Sequence, residues 1–538
     1  MAVKRVAVIG AGISGLVSTK TCLEEGIEPV CFEQTEQIGG IWVTSDRRVP
    51  GTEKRGAIYD CLITNSSKEM MCFSDYPFDP SVPPYIRGNQ VLSYYQGYAK
   101  QFDLEPRIRF NTRVIRVEPT KDFDKTGRWH VKSQGPSGEV DEEVFDAVMV
   151  CSGLHNKSYI PSIPGMDDFK GDIIHSCDFR NGMKYAGKTV VVVGGAHSAG
   201  DVAVDTSMHA KMTYLSMKSG TTVLPRAGPG GVPIDAYIIR RVRGLVPLAL
   251  WKMWMQSFIS YRLNMESLGL KSERPLFSST SIMVNDLIGV RIWCGALQAK
   301  PNIARFTESD VIFFDGTVVE NVDVVIFATG YEFKFPFIDR SILQESYKDL
   351  ELFWHIFPPR LSRQTLAMVG ATNSAGARGP INELQARLAT RVFEGLVELP
   401  CQERMLEDVS RRKNIFKKLY DNHKIRFAPI PYCDMLAAKV GCLPRFMDLL
   451  KSDPVLAFKF LFGPNYPPFY RLVGPHAWPG ARDAIMKAEY NTVNPTRTRI
   501  VKNPGTDQSS LFFMFFIFFL VVFPLCIFMM IFTQLSWS

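Results

Sequence analysis

The sequence has no cysteine pair in a C-x-x-C arrangement, although eleven cysteines are scattered from Cys22 to Cys526. Zinc sites and disulfide frameworks normally space their cysteines regularly, so this odd-numbered set predicts neither, and a reducing compartment suits it best. Histidine is scarce as well, with eight residues, and no Ser/His/Asp arrangement stands out. We therefore expect no bound metal and no catalytic nucleophile of the triad kind.

The chain also lacks a block of one charge, and we expect no targeting segment at its N-terminus. Its formal net charge of +8 is spread over 62 basic and 54 acidic residues, which argues against nucleic acid as a partner and indicates mild attraction to anionic cofactors or lipid. The first residues, MAVKRVAVIG, pass from two basic side chains directly into a strand pattern. Because the apolar core of a signal peptide does not fit there, we expect the bulk of the chain in the cytosol.

One long apolar run is present, at 511–532, and it carries no charge. About 20 such residues cross a bilayer as a helix, so the run predicts a tail anchor. Arg497, Arg499 and Lys502 precede it and nothing charged follows, which favours a cytosolic side for the folded part. The alternative is a buried C-terminal helix, and Pro524 would kink a span without forbidding it.

Three glycines form a G-x-G-x-x-G motif between a strand pattern and a helix pattern. Gly10 permits a tight turn, Gly12 lets the backbone approach a pyrophosphate, and Gly15 lets helix and strand pack closely. Glu33 ends the next strand, where a carboxylate accepts hydrogen bonds from ribose hydroxyls and repels a 2′-phosphate, which favours FAD or NAD over NADP. The glycine pair and aromatic that follow, at 39–42, are more typical of FAD enzymes. The alternative is a plain glycine turn beside a surface glutamate.

A second strand, glycine turn and helix pattern is KTVVVVGGAHSAGDVAVDTSM. Strand-like runs that close at Gly153 and Gly330 indicate returns from one nucleotide-binding domain to the other. The sequence therefore predicts an α/β fold with two Rossmann-like dinucleotide-binding domains. The second carries a mostly helical insertion at about 214–284, of which 240–281 is rich in Trp, Met and Leu. Its segment GLVPLALWKMWMQSFI either packs inside the protein or rests on a membrane surface.

Segments along nearly the whole chain resemble the flavin-containing monooxygenases, specifically the vertebrate microsomal, dimethylaniline-type group. They include CFEQTEQIGGIW, ITNSSKEMMCFSDYPF, FTESDVIFFDGTVVENVDVVIFATGY and FGPNYPPFYRLVGPHAWPGAR, in the family's order and followed by the apolar tail. The family's pattern F-x-G-x-x-x-H-x-x-x-F is met by Phe169, Gly171, His175 and Phe179. This pattern is more specific than a nucleotide-binding fold alone.

The resemblance implies an enzyme in which NADPH reduces FAD and O₂ adds to the reduced ring as a C4a-hydroperoxide. An amine nitrogen or a sulfur of a small lipophilic compound then takes the distal oxygen. The protein holds NADP⁺ over the flavin, excludes water and supplies hydrogen bonds. The resemblance also implies an endoplasmic reticulum (microsomal) membrane location with membrane lipid as a partner, while a homo-oligomer is left open.

With these cofactors assigned, the chain divides into five predicted segments. They are a FAD-binding domain at 1–155 that resumes at 331–445, an NADPH-binding domain at 156–330, a C-terminal cap and membrane-proximal segment at 446–510, and the transmembrane tail anchor at 511–532.

One asparagine and one histidine match positions of the family. Asn65, in ITNSSKEMM, matches the flavin-side asparagine and is the one catalytic residue that we expect, since its amide both donates and accepts hydrogen bonds. Its alternatives are a turn-capping role and a glycosylation sequon, which a cytosolic domain does not use. His175 is expected to be structural and to hold the segment that joins the two domains.

The second glycine turn departs from the family's G-x-G-x-S-G at two of three glycines. Ala199 is tolerated because only one methyl must fit between helix and strand. Ala196 is more serious, because a β-carbon there pushes a cofactor outward or strains the turn. His197, an asparagine in relatives, either contacts a phosphate or is a neutral turn residue. Lys218, often Arg in relatives, supplies charge for a 2′-phosphate without a bidentate fork, or is an ordinary surface lysine.

A further departure is VNDLIGV at 284–290, where relatives more often carry an acid and a proline after Asn285 and Asp286. Three hypotheses follow: an active monooxygenase, an NADPH oxidase that releases H₂O₂ because NADP⁺ is loosely held, and a membrane-anchored flavoprotein that has lost nicotinamide binding. The residues expected to contact the cofactors are Gly10, Ala11, Gly12, Ile13, Ser14, Gly15, Glu33, Gly40, Ile41, Trp42, Thr64, Asn65, Ser66, Gly194, Ser198, Ala199, Gly200, Asp201 and Lys218.

Overall fold

The computed structural model describes residues 3–44, 55–272, 282–344, 350–420 and 426–499. The expected transmembrane segment at 511–532 lies outside these residues. Among the helices within them, none combines the length and the apolar composition that crossing a bilayer requires.

The first part of the chain starts with a strand, a glycine turn and a helix, and then alternates between a parallel and an antiparallel sheet. Short β-branched runs such as RVAVI form its buried strands. The elements in chain order are β1 Arg5–Ile9, α1 Ile13–Glu24, β2 Glu28–Phe32, α2 Lys68–Met71, α3 Gly88–Gln101, β3 Ile108–Arg109, β4 Arg113–Pro119, α4 Phe123–Thr126, β5 Trp129–Gln134, β6 Val140–Phe145 and β7 Ala147–Val150.

The middle part repeats the strand, glycine turn and helix, and it contains the insertion, in which α6 and α7 lie between two short strands. The elements are β8 Lys157–Ser158, β9 Asp172–His175, β10 Thr189–Val193, α5 His197–Ser207, β11 Met212–Ser216, β12 Thr222–Leu224, α6 Ile234–Ile238, α7 Leu248–Arg262, β13 Ile282–Val284, α8 Ile288–Trp293, β14 Leu297–Lys300, β15 Ile303–Phe306, β16 Val311–Phe313, β17 Val318–Val319, β18 Val324–Phe327 and β19 Tyr331–Glu332.

The last part is mostly helical. Proline occupies the first turn of three of its helices, where its missing N–H has no intrahelical partner to lose. The elements are β20 Leu366–Met368, β21 Asn373–Ser374, α9 Gly379–Phe393, α10 Gln402–Tyr420, β22 Arg426–Phe427, α11 Pro429–Val440, α12 Phe446–Ser452, α13 Pro454–Phe462 and α14 Ala481–Val493. Short 3-10 helices lie at Gly40–Trp42, Glu105–Arg107, Gly182–Tyr185, Pro229–Gly231, Arg241–Leu245, Pro467–Arg471 and Asn494–Thr496.

The first unit is a five-stranded parallel sheet in the order β20-β7-β1-β2-β3. Successive side chains of a strand point to opposite faces. Val6 and Val8 of β1 pack in the cluster that contains α1 and α9, whereas Ala7 and Ile9 pack against the antiparallel sheet β4-β5-β6 through Trp129. Both faces of the sheet are therefore covered, as a parallel sheet requires.

The second unit is also a five-stranded parallel sheet, in the order β14-β11-β10-β18-β9. Val190 and Val192 of β10 pack toward α5, and Val191 and Val193 pack toward the antiparallel strands β15 and β16. The two units thus repeat one design, a parallel sheet with helices on one face and a small antiparallel sheet on the other. This confirms the α/β fold with Rossmann-like units.

Two chain crossings that run side by side connect the units. β8 pairs with β19 in an antiparallel register. Beside them, the amide of Asn156 donates to the carbonyl of Lys334 at 2.9 Å and accepts from the N–H of Lys334 at 3.1 Å. A side-chain amide that mimics a strand partner in this way fixes both crossings together.

A buried cluster of charges ties the C-terminal part to the first unit. The guanidinium of Arg471 is fully buried and lies 2.9 Å from Glu24, 3.1 Å from Asp75 and 3.0 Å from Glu383. Lys20 pairs with Glu24 at 2.5 Å and with Asp75 as well. Because isolated buried charges are costly, these groups stabilise the fold only as a set.

Candidate functional site

The first glycine turn is sterically closed to any larger residue at two of its three glycines. Gly10 follows β1 with φ of 103°, and a β-carbon there would lie 2.9 Å from the carbonyl oxygen of Cys151. A β-carbon on Gly15 would lie 1.7 Å from the carbonyl oxygen of Gly10. The tight turn and the close helix–strand contact that the motif predicts are therefore both present.

The N-terminus of α1 opens beside this turn. Its first intrahelical bond runs from the N–H of Leu16 to the carbonyl of Gly12 at 3.0 Å. The N–H groups of Ile13, Ser14 and Gly15 therefore have no partner within the helix. Such groups, together with the positive end of the helix dipole, suit a pyrophosphate.

Glu33 lies directly after β2, within reach of the turn. Its buried carboxylate accepts the N–H of Ala11 at 2.8 Å through Oε2. Its Oε1 accepts the N–H of Thr35 at 3.0 Å and the hydroxyl of the same residue at 2.7 Å. A carboxylate offers about four lone-pair directions, so Glu33 retains acceptor capacity for a ribose hydroxyl while it holds the turn.

The second glycine pair closes over the first turn. The N–H of Gly39 donates to the carbonyl of Ala11 at 3.1 Å, and a β-carbon on Gly40 would approach the Cα of Gly12 to 3.2 Å. Ile41 is exposed, and Trp42 meets Tyr95 edge-on at 6.5 Å. Backbone rather than side chains thus lines this cradle, which fits the narrow approach that the pyrophosphate of FAD needs.

The turn after β10 has the same backbone features as the turn after β1. Gly194 has φ of 145°, its N–H donates to Ser216 at 2.9 Å, and a β-carbon there would lie 2.5 Å from the carbonyl oxygen of Ala328. In α5 the first intrahelical bond runs from the N–H of Gly200 to the carbonyl of Ala196 at 3.1 Å, so the N–H groups at 197–199 have no partner within the helix.

Ala196 is not strained. Its φ of −106° and ψ of −169° are extended backbone, close to the φ of −78° and ψ of −169° of Gly12 at the same place in the first turn. The residue is exposed, so its methyl faces outward from the turn. Of the two consequences expected for this alanine, strain in the turn is therefore wrong, and outward displacement of a cofactor stays a hypothesis.

The other residues of the second turn have partners of their own. The Nδ1 atom of His197 accepts the N–H of Val284 at 3.1 Å, which is a contact within the protein. Asp201 accepts the hydroxyl of Tyr59 at 2.9 Å and the amide of Asn285 at 3.2 Å, and burial raises its pKa to about 6. The Asp201 side chain thus joins the second unit to the segment before Asn65.

The residue after β11 occupies the place in the second turn that Glu33 occupies in the first. Gly10 bonds to the carbonyl of Phe32 and Gly194 bonds to that of Ser216, so the position of Glu33 corresponds to Met217. Lys218 follows it and is exposed. No carboxylate stands at this position to repel a 2′-phosphate, and a cation is next to it, so the donor set fits NADP rather than NAD.

Asn65 and its neighbours form a turn that both units hold. The hydroxyl of Thr64 accepts the N–H of Ile86 at 3.1 Å from the first unit. From the insertion of the second unit, Arg226 donates to the carbonyl of Thr64 at 3.1 Å and to the Oδ1 atom of Asn65 at 3.3 Å. Ser66 is half-buried between them.

A carboxylate from the insertion holds the other end of this turn. The Oδ2 atom of Asp235 accepts the N–H of Ser67 at 2.7 Å, and its Oδ1 accepts the N–H of Ala236 at 2.9 Å. Burial raises the pKa of Asp235 to about 6, although the bonds to backbone N–H groups favour its ionised form. Neither Arg226 nor Asp235 is predicted as a site residue from the sequence, because neither belongs to a motif and each acts across the boundary between units.

His175 has the structural role expected of it. Its Nδ1 accepts the N–H of Cys177 at 3.1 Å, so Nε2 carries the proton and donates to the carbonyl of Gly330 at 3.1 Å. The bond joins the last residue of β9 to Gly330, the residue directly before β19. Within the described residues, no group of three or more His, Cys, Asp and Glu side chains is placed to hold a metal ion.

The sequence of the chain matches one family over almost its full length. The family model described as flavin-binding monooxygenase-like matches residues 3–533. Flavin-containing monooxygenase 2 of Homo sapiens is 39% identical over 99% of this chain and 100% of its own length. Flavin-containing monooxygenase 5 of Homo sapiens is 40% identical over 95% of this chain and 96% of its own length.

Solved structures share the fold. S-allyl-L-cysteine S-oxygenase from Allium sativum aligns with a TM-score of 0.63 at 24% identity, over 92% of this chain and 100% of that one. An open crystal structure of cyclohexanone monooxygenase aligns with a TM-score of 0.59 at 16% identity, over 81% and 97%. With two Rossmann-like units, a glycine turn in each and these full-length relatives, the chain belongs to the flavin-containing monooxygenase family of NADPH- and FAD-dependent oxidoreductases.

Proposed function

We propose that this protein uses NADPH and O₂ to oxygenate nitrogen or sulfur in small lipophilic compounds such as amines and sulfides. The observation that carries the proposal is the placement of the Asn65 turn, which residues of both nucleotide-binding units hold at once. Each unit has its own glycine turn and open helix N-terminus. Such a site needs no side-chain nucleophile, because bound FAD reduced by NADPH supplies the activation of O₂.

FAD would be held by the first unit. The open N–H groups of Ile13 and Ser14 would bind its pyrophosphate, and Glu33 would accept a ribose hydroxyl beside the N–H of Ala11. The backbone at Gly12 and Gly40 leaves room for the pyrophosphate of FAD to approach, because neither residue has a β-carbon. We assign the segments 1–155 and 331–445 to this domain.

NADP(H) would be held by the second unit, at 156–330. The N–H groups of Ser198 and Ala199 at the start of α5 would bind its pyrophosphate, and Lys218 would pair with the 2′-phosphate. Lysine acts there as a point charge, so this contact is weaker than a bidentate arginine contact. Asp201, which Tyr59 and Asn285 already bind, would hold the turn rather than the cofactor.

Asn65 would act on the reacting oxygen. Its side chain is half-buried, at a turn whose backbone is bonded to Ile86 of the first unit and to Arg226 and Asp235 of the second. A preorganised amide donor stabilises developing negative charge and costs no reorganisation at the moment of reaction. It would also help to exclude bulk water from the reacting atoms.

Membrane lipid would be a partner of this protein at the endoplasmic reticulum, with the catalytic part facing the cytosol. The apolar run at 511–532 would be the anchor. Apolar side chains are exposed on α7 (Leu248, Leu250, Met253) and on α12 and α13 (Met447, Val455, Phe458). Exposed apolar surface of this kind is typical of contact with lipid. The cap at 446–510 would carry part of that surface.

A matched pair of proteins tests the proposed function. Wild-type enzyme and Asn65→Ala, both loaded with FAD, are given NADPH, O₂ and a thioether, and sulfoxide is quantified. We expect sulfoxide from the wild type and little from the variant, with equal flavin content in both. Normal turnover by Asn65→Ala would remove Asn65 from the site, and no sulfoxide from either protein would refute the proposal.

One observation favours a second candidate, an NADPH oxidase that releases H₂O₂. The exposed methyl of Ala196 stands where the backbone of the second turn would meet the pyrophosphate of NADP⁺. If that methyl displaces the nicotinamide half, water reaches the site and oxygen transfer is lost. The two candidates differ in whether NADPH consumed appears as sulfoxide or as H₂O₂.

A further inference from the structure

We infer that Arg226 is a positioning residue that fixes the orientation of the Asn65 amide, so that the NH₂ group of Asn65 faces the reacting oxygen. The inference rests on the proposed function of Asn65. It extends that function, because it states which end of the amide acts and which side chain of the second unit determines it.

The Arg226 guanidinium donates hydrogen bonds to three consecutive residues of the Asn65 turn. Nε donates to the carbonyl of Thr64 at 3.1 Å, and Nη2 donates to the carbonyl of Ile63 at 3.2 Å and to Oδ1 of Asn65 at 3.3 Å. A guanidinium has donors and no acceptor. Only the oxygen of the Asn65 amide can therefore face Arg226.

The consequence for Asn65 follows from its chemistry. An amide carries one acceptor end and one donor end, so fixing the oxygen toward Arg226 turns the NH₂ group the other way. None of the described residues accepts a hydrogen bond from that NH₂ group. Both of its hydrogens are thus left for a ligand, which gives the NH₂ group of Asn65 the role of donor toward the reacting oxygen.

Arg226 is itself held firmly. Its Nη1 lies 3.1 Å from Oδ2 of Asp286, and its own N–H donates to Oδ1 of the same carboxylate at 2.9 Å. Its carbonyl accepts the hydroxyl of Tyr85 at 2.6 Å. The Arg226 side chain is 13% exposed. These contacts hold the Arg226 guanidinium in one orientation. The position of the Asn65 amide therefore depends on Asp286 through Arg226.

The arrangement makes the Asn65 turn depend on both units. Arg226 and Asp235 come from the insertion of the second unit and hold the turn at Asn65 and at Ser67 respectively. The segment 284–290, in which this sequence differs from its relatives, contains Asp286. The side of the site that differs from relatives is therefore also the side that orients Asn65. The carboxylate that pairs with Arg226 is nevertheless present, as Asp286.

The test compares full-length, FAD-loaded variants that separate an effect through Asn65 from a general one. They are Arg226→Met, Arg226→Lys, Asn65→Ala and the double variant Arg226→Met/Asn65→Ala. Arg262→Met is the matched control, because Arg262 lies in the same insertion and is exposed, and the one hydrogen bond of its side chain among the described residues is to the carbonyl of Ala227 at 3.1 Å. Sulfoxide and H₂O₂ per NADPH, the KM for NADPH and the absorption spectrum of bound FAD are measured for each.

We expect Arg226→Met to lower sulfoxide per NADPH by about tenfold to a hundredfold. This is less than the roughly hundredfold to thousandfold loss for removal of a preorganised donor, because the variant keeps the Asn65 amide and loses only its orientation. The KM for NADPH should change little, and the double variant should match Asn65→Ala, because the two residues act as one. Arg226→Lys should fall between wild type and Arg226→Met. Arg262→Met should match the wild type.

Several results overturn the inference. They are losses that multiply in the double variant, or equal behaviour of Arg226→Met and Arg262→Met. If the wild type forms no sulfoxide, the proposed function fails, and the spectrum of bound FAD decides the inference separately. Arg226→Met and Asn65→Ala should then shift that spectrum alike, with no further shift in the double variant, and independent shifts would contradict the inference.

Discussion

Gly12 and Ala196 occupy the same place in the two strand, turn and helix units, and their backbones have almost the same conformation. Gly12 has φ of −78° and ψ of −169°, and Ala196 has φ of −106° and ψ of −169°. Both are therefore in a region that any residue adopts. The second glycine of such a motif is needed for room beside the cofactor and not for its dihedral angles.

Ala196→Gly should consequently change NADPH binding without relieving strain. We expect a lower KM for NADPH, while the melting temperature stays close to that of the wild type because glycine is accepted at a helix N-cap. Steady-state kinetics and thermal unfolding measure the two effects. An unchanged KM would mean that the turn has adapted to the methyl, and a large rise in melting temperature would mean that the alanine is strained after all.

Gly15→Ala should abolish FAD retention. Its β-carbon would lie 1.7 Å from the carbonyl oxygen of Gly10, so α1 must move away from β1 and the open N–H groups move with it. Gly244→Ala is the matched control, since nothing lies within 4 Å of a β-carbon there. Flavin per protein after purification is the measurement. Full flavin content in Gly15→Ala would show that this turn is not where FAD binds.

Asp235 should make the stability of the protein depend on pH. Burial raises its pKa from 3.8 to about 6, so the folded state keeps a proton that the unfolded state loses. Stability therefore falls as pH rises from about 4 to about 6 and stays lower above that, by at most about 3 kcal/mol. Asp235→Asn removes this ionisation.

The check is the melting temperature of wild type and Asp235→Asn between pH 4.5 and pH 7. Relative to the variant, the wild type should lose stability over this window. Curves that run parallel would show that Asp235 is already ionised at the lower end, with its charge fully stabilised by the N–H groups of Ser67 and Ala236.

Arg471→Met should destabilise the protein strongly. The variant leaves the carboxylates of Glu24, Asp75 and Glu383 without the cation that they surround, and Arg471 now holds the pKa of Glu383 below its usual range despite burial. Breaking a buried ion pair from one side costs about 3–5 kcal/mol.

Arg482→Met is the control for that loss, because Arg482 pairs with Asp453 at the surface, where a single pair contributes about 0–1 kcal/mol. Denaturant unfolding of both variants gives the comparison. Equal stability of Arg471→Met and Arg482→Met would show that the buried cluster does not hold the C-terminal part in place.

The local features of the two turns could be predicted from the sequence because they depend on residues close together in the chain. The roles of Gly10, Gly15 and Glu33 follow from their spacing within some 20 residues of the chain. In the structure Glu33 is bonded to the turn through the N–H of Ala11. The structural role of His175 could likewise be predicted, because His175 belongs to a sequence pattern of the family. Ala196 was misjudged in part, because its identity was visible but its dihedral angles were not.

The grip on Asn65 could not be predicted. Arg226 lies 161 residues away and Asp235 lies 168 residues from Ser67, on an insertion whose path no motif describes. A lone arginine or aspartate in such a segment is usually a solvated side chain. Only the folded arrangement of the two units shows that the buried Asp235 and the largely buried Arg226 contact the same turn.

We propose that this protein uses the electrons of NADPH for oxygen transfer to its substrate. The most direct test follows NADPH loss, sulfoxide and H₂O₂ together in one reaction of the full-length, FAD-loaded protein with a thioether in air. We expect sulfoxide to rise in step with NADPH loss, with little H₂O₂. H₂O₂ that accounts for the NADPH without sulfoxide, or no NADPH consumption at all, would contradict this account.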